Sequence, residues 1–126
     1  MARILLVEDN DMNRDMLSRR LQRKGHEVLM AADGMQAILM AESEAPDLIL
    51  LDLMMPEMDG FEFVAELRRS EAGRRIPVVV VTAKDITAED RARLNGQVRR
   101  IFSKGSFSRE ELTAELRRAL DTGLAR

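Results

Sequence analysis

The chain has 126 residues, 45% apolar and 33% charged, which is the balance of one globular domain rather than a disordered or fibrous chain. Its 20 basic and 22 acidic residues leave a net charge of −2, so no global field draws it to nucleic acid or anionic lipid. Cysteine, tryptophan and tyrosine are absent, which excludes disulfides, thiolate metal sites, thiol catalysis and aromatic stacking platforms for bases or flavins.

Five apolar blocks follow one another. Ile4-Leu5-Leu6-Val7 opens the chain and ends in Glu8-Asp9. It is too short for a secretory leader, and no segment approaches the ~20 apolar residues that span a bilayer. A cytoplasmic domain covering residues 1–126 is expected, without membrane association. Asn10 is a candidate N-cap for a first helix carrying Met12, Met16, Leu17 and Leu21 on an apolar stripe, with Gly25 as its stop. Arg14, Arg19, Arg20, Arg23 and Lys24 make this helix basic. His26, expected at the surface, precedes the second block, Val28-Leu29-Met30. A second helix carries Ala37, Ile38 and Ala41.

The third block is Leu48-Ile49-Leu50-Leu51, ending in Asp52. A third helix carries Phe63, Val64 and Leu67. The fourth block, Val78-Val79-Val80-Val81, ends in Thr82. A polar helix from Ile86 to Leu94 follows, with Thr87 and Asp90 as a cap pair and Gly96 beyond it. The fifth block runs from Val98 to Phe102 and leads to Lys104. Ser108 and Glu111 read as a capping box for a last helix carrying Leu112, Leu116 and Leu120, with Gly123 after it. The nine methionines are expected mainly as core filler on helices and in the loop after Asp52.

The first, third and fourth blocks are apolar without alternation, as expected of parallel strands covered on both faces. Five blocks alternating with five helices predict an α/β doubly wound domain built on an open parallel five-stranded sheet. Ligands of such sheets bind beyond the carboxyl ends of the strands. Those ends carry Glu8-Asp9, Asp52, Thr82 and Lys104. Crowded carboxylates raise one another's pKa unless a cation lies among them, and hard oxygen ligands suit Mg²⁺. A carboxylate can also attack phosphorus, with a hydroxyl and an ammonium to meet the phosphoryl oxygens. Each residue alone would read as a cap, a turn or a solvated side chain. Their coincidence at one sheet edge carries the case.

At these residues the chain resembles the receiver domain of two-component response regulators. The matching pieces are Ile4 to Asn10, Pro46 to Gly60, Ile76 to Ala83 and Phe102-Ser103-Lys104. The resemblance implies a (βα)5 domain with strand order 2-1-3-4-5 and helices on both faces. It implies that Asp52 accepts a phosphoryl group from a phosphohistidine on a histidine kinase or histidine phosphotransfer protein. Glu8, Asp9, Asp52 and the Met54 backbone carbonyl would hold Mg²⁺, with Mn²⁺ as an alternative, while Thr82 and Lys104 engage the phosphoryl group. The first helix would dock the phosphodonor, and the surface around the polar helix and fifth strand would pass the signal to a downstream protein. The chain would be a phosphoacceptor rather than an enzyme, binding no nucleic acid and carrying no output module of its own.

Two departures from the family stand out. Gly105 follows Lys104 where a proline is usual, and Ile101 occupies the place of a switching aromatic. Arg99-Arg100 read as a solvated edge strand. Met54 and Lys84 flank the expected path of hydrolytic water without a group to orient it, so slow loss of phosphate is expected. Competing readings are a dehalogenase-like phosphatase, which lacks its second aspartate because Met54 stands there, and a nucleotide or flavin binder, which lacks a glycine-rich phosphate loop. A receiver-like scaffold that works without phosphorylation is the alternative the departures keep open.

Overall fold

A computed structural model describes residues 2–55, 58–82, 85–103 and 109–124. The elements in chain order are β1 (Arg3–Val7), α1 (Asp11–Arg23), β2 (Glu27–Ala31), α2 (Gly34–Glu44), β3 (Leu48–Leu51) and α3 (Gly60–Leu67). They continue with α4 (Glu71–Arg75), β4 (Val78–Thr82), α5 (Ala88–Leu94), β5 (Arg100–Ser103) and α6 (Arg109–Leu124). The strands form one parallel sheet in the order β2-β1-β3-β4-β5, as expected.

Successive residues of a strand point to opposite faces, so every strand serves two cores. On one face Leu5, Val7, Ile49, Leu51, Val78 and Val80 meet Ala37 and Ala41 of α2, Phe63 and Leu67 of α3, and Leu94 of α5. On the other, Ile4, Leu6, Leu48, Leu50, Val79 and Phe102 meet Leu21 of α1 and Leu112, Leu116 and Leu120 of α6. Dual burial is why these blocks show no polar alternation. It also fixes the register that lines up the strand ends.

Helix starts follow the expected chemistry. The side chain of Asn10 accepts from the Asn13 amide, and Thr87 and Asp90 form a reciprocal capping box. Gly25 and Gly96 take φ of +90° and +76°, the left-handed region that glycine enters without steric cost. The expected Ser108–Glu111 box lies outside the described residues.

Four expectations need correction. The described residues form six helices, because Ser70 caps an additional short helix, α4, between α3 and β4. Gly123 lies within α6 rather than after it. His26 is half-buried, and its Nδ1 is buried without a hydrogen-bond partner among the described residues. The methionines are not mainly core filler: Met12, Met16, Met30, Met35 and Met54 are exposed, while Met55 is buried. Met12 lies nine residues before Leu21, about half a turn out of phase at 3.6 residues per turn, so the stripe continues only through Leu17 and Leu21.

Candidate functional site

The parallel register pairs Val7 with Leu51, so the next residues, Glu8 and Asp52, leave the sheet side by side. Backbone bonds carry the ladder one step past each strand: the Asp52 amide donates to the Val7 carbonyl at 3.1 Å, and the Glu8 amide to the Ala31 carbonyl at 3.1 Å. Asp9 follows at the turn into α1. Carboxylate oxygens of Glu8, Asp9 and Asp52 all lie within 4.8 Å of one another.

Glu8 is 6% exposed. Burial pushes its carboxyl up to about 7 from an ordinary 4.5, helped by the Asp52 charge and by hydrogen bonding with Asp52 and Asp9, and opposed by the Asn10 amide. That amide reaches Glu8 Oε2 at 3.3 Å, so Asn10 both caps α1 and steadies an acid of the cluster. The positive end of the α1 dipole lies beside the same carboxylates. Arg14, from the next turn, donates to the Glu8 carbonyl at 2.8 Å and is ion-paired with Asp11.

Asp52 is partly buried, and one of its oxygens accepts from the Met54 amide at 3.1 Å. The Met54 side chain is exposed. Thr82, 2% exposed at the end of β4, lines the same cleft as Glu8 and Asp52. The cleft has a volume of about 170 Å³ and continues beneath Met16, Leu17 and Arg20 of α1 and Leu112 of α6. Four of the expected residues, Glu8, Asp9, Asp52 and Thr82, thus meet at one edge of the sheet. Lys104, Gly105 and Lys84 lie outside the described residues.

The donor set fits a hard divalent cation. Three close carboxylates with one held partly protonated are what a metal of octahedral oxygen preference would relieve. A carbonyl and retained waters complete such a shell.

Gly60 contributes to the site without touching it. Its amide donates to the Leu53 carbonyl at 3.0 Å, and a Cβ there would sit 2.6 Å from the Leu53 Cα and 3.1 Å from the Asp52 carbonyl oxygen. A side chain at 60 would push the Asp52–Leu53 backbone out of place. Asp59 caps α3 in a reciprocal box with Glu62, fixing where that helix begins. These roles were hidden in the sequence, since a close backbone approach leaves no periodic signal.

Ile101 pairs with Val80 and packs with the core on the α2, α3 and α5 side. Arg99 and Arg100 are more than a solvated edge: both pair with Glu115 of α6, which is 5% exposed.

Comparison with known proteins agrees with this geometry. The family model described as the response regulator receiver domain matches residues 4–117. The response regulator MprA of Mycobacterium bovis is 39% identical over 119 residues, 94% of this chain and 50% of MprA. The chain therefore spans about half the length of the curated relatives it matches. The receiver domain of the sensor histidine kinase PA1611 from Pseudomonas aeruginosa, with a magnesium ion coordinated in its active site cleft, superposes with a TM-score of 0.85. It is 35% identical, covering 95% of this chain and 98% of that one. TrrA from Thermotoga maritima, in complex with Mg²⁺-BeF, gives a TM-score of 0.81 at 29% identity, covering 94% of this chain and 99% of that one.

Proposed function

The chain belongs to the response regulator receiver domain family, and on that footing we propose that it works as a phosphoacceptor in a two-component phosphorelay, taking a phosphoryl group onto Asp52. The observation that carries this reading is the convergence of the Glu8, Asp9 and Asp52 carboxylates within 4.8 Å, one strand away from the buried Thr82 hydroxyl.

The donor is a phosphohistidine on a histidine kinase or histidine phosphotransfer protein. An Asp52 carboxylate oxygen attacks phosphorus, the P–N bond to the donor imidazole breaks, and the imidazole leaves with that electron pair. The reaction asks mainly for positioning and charge neutralisation. The Met54 amide orients Asp52, and the Thr82 hydroxyl donates to a phosphoryl oxygen. Lys104 pairs with another. Asp9 and Asp52, the Met54 carbonyl, and Glu8 directly or through water would hold Mg²⁺, with Mn²⁺ as an alternative. When bound, the ion neutralises charge shared between the carboxylates and the incoming phosphoryl group.

With no carboxylate or amide at Met54 or Lys84 to orient water, the aspartyl phosphate hydrolyses slowly. The chain thereby acts as a signalling switch rather than as an enzyme on other molecules, and it passes its state to a downstream protein. Its place of work is the cytoplasm, where such donors reside. No helix among the described residues is long and apolar enough to cross a membrane.

Incubation with Mg²⁺ and acetyl phosphate followed by intact mass tests the reading. A gain of one phosphoryl group, absent in Asp52→Asn and absent when a chelator replaces Mg²⁺, supports it. No gain in the unaltered protein favours the phosphorylation-independent scaffold.

A further inference from the structure

The turn between α5 and β5 holds the one asparagine of the chain that precedes a glycine, Asn95 before Gly96. Asn95 has φ −56° and ψ 125°, Gly96 has φ +76°, and the Gln97 amide donates to the Leu94 carbonyl at 2.9 Å. These angles make a type II turn, whose third residue is glycine because its φ is positive. The turn closes through a bond from its fourth residue to its first, which leaves the amide of the third residue outside it. Asn95 and Gly96 are both exposed, and a Cβ on Gly96 would meet nothing within 4 Å. Neither the Asn95 side chain nor the Gly96 amide has a hydrogen-bond partner among the described residues.

A free backbone amide beside a free carboxamide is a nucleophile next to its electrophile. The Gly96 nitrogen attacks Asn95 Cγ, the Cγ–Nδ2 bond breaks, and Nδ2 takes up the amide proton and leaves as ammonia. Water then opens the cyclic imide in one of two ways. Addition at Cγ breaks the new Cγ–N bond and gives aspartate. Addition at the main-chain carbonyl carbon breaks the original peptide bond and gives isoaspartate, with the chain now running through Cγ. Glycine at position 96 has no side chain to crowd the attack. Arg91 and Arg93, in the last turn of α5, add positive charge where the reaction develops negative charge. Ring closure also needs Asn95 ψ to rotate from 125°, which an exposed turn permits.

The fold shields the comparable positions. The amide following Asn13 belongs to Arg14 and is bonded to the Asn10 carbonyl at 2.9 Å, while the Asn10 side chain accepts from the Asn13 amide. Asp33 and Asp59 also precede glycines, but their carboxylates cap helices, accepting from the Gln36 amide at 2.8 Å and the Glu62 amide at 2.9 Å. The Gly60 amide is itself bonded to the Leu53 carbonyl at 3.0 Å.

We propose that Asn95 and Gly96 form a self-modification site, converted to aspartate and isoaspartate in the folded protein, and that the isoaspartate form loosens the corner between α5 and β5. Two residues on, the Gln97 carbonyl accepts from Arg68 Nε at 3.0 Å. Isoaspartate lengthens the main chain inside the turn that presents this carbonyl, so it shifts the acceptor away from a guanidinium fixed on α3.

The test is incubation of the unaltered chain in mildly alkaline buffer, without Mg²⁺ or phosphodonor. Peptide mass mapping then locates conversion, and methyl transfer from S-adenosylmethionine by an isoaspartyl methyltransferase detects isoaspartate. In the folded chain position 95 gains the mass of amide-to-acid conversion and its peptide accepts methyl, while position 13 converts only in urea. Asn95→Gln, whose longer side chain disfavours the five-membered ring, folds by circular dichroism and loses this methyl acceptance. The isoaspartate form, isolated by ion exchange, unfolds at a lower urea midpoint than the unconverted chain. Asn95→Asp, which brings the charge without lengthening the main chain, lies nearer the unconverted chain. Conversion at position 95 confined to urea, equal methyl acceptance by Asn95→Gln, or an unchanged midpoint for the isoaspartate form overturns the proposal.

Discussion

Glu8 sits where its strand ends and its charge is least welcome. Its folded pKa of about 7 lies above the ordinary 4.5, so the folded protein binds more protons than the unfolded chain between those values. The stability this contributes in metal-free buffer is fully present below about 4.5 and is lost as pH rises through about 7. His26 acts in the opposite sense: burial lowers its pKa, so its contribution falls as pH drops below 6.5. Urea unfolding of Glu8→Gln in metal-free buffer should show a smaller fall in stability between pH 5 and 7.5 than the unaltered chain, and an unchanged slope would contradict the origin given for the shift. Gly60 makes a sharper point. Alanine there needs the Asp52–Leu53 backbone to move, at a cost of about 1–3 kcal/mol, readable as a lower urea midpoint. Gly60 could be read in the sequence only as part of a family pattern, because its reason is a neighbour's backbone rather than anything local. Asn10 and Thr87 were legible as caps, since a cap is written within four residues.

At the scale of elements, β1, β3 and β4 were readable because burial on both faces leaves no polar residue inside them. The helix α4 was not. It has five residues, no apolar stripe and a buried Gly73, where a Cβ would lie 1.9 Å from the Leu67 carbonyl oxygen. What holds this corner is Arg68, the C-cap of α3. Its guanidinium donates to the carbonyls of Gln97, Gly73 and Ile76, tying α3, α4 and the loop before β5 together. Nothing local marks this arginine among the chain's other basic residues, because its three acceptors are spread from Gly73 to Gln97. Arg68→Ala leaves those half-buried carbonyls short of a donor and should destabilise by about 2–4 kcal/mol. Arg68→Lys should recover only part of that, because an ammonium lacks the planar fork that spans the set. Full recovery in thermal unfolding would assign the effect to charge rather than geometry. The exposed methionines mark the limit of periodicity as a guide: Met16 and Leu17 are adjacent in sequence, yet only Leu17 packs with the core.

For the whole molecule, the order β2-β1-β3-β4-β5 sets β1 and β3 side by side at the centre, so acids more than forty residues apart in sequence meet at one edge. That convergence was legible from the residues at the strand ends, because topology does the assembling once the strands are known. The degree of protonation within the cluster was not, since it depends on burial that only the fold supplies. Mg²⁺ binding to the folded chain alone should raise its stability by about 2.7 kcal/mol at a concentration 100 times the dissociation constant. Asp9→Asn/Asp52→Asn should lose that increase in the melting temperature, and an undiminished increase would place the ion elsewhere. The most direct measurement of the central claim locates the phosphoryl group itself. After incubation with Mg²⁺ and acetyl phosphate, borohydride reduces an aspartyl phosphate to homoserine, and peptide mass mapping reads its position. Homoserine at position 52 is the predicted result; homoserine only at another aspartate, such as Asp9 or Asp59, would contradict it.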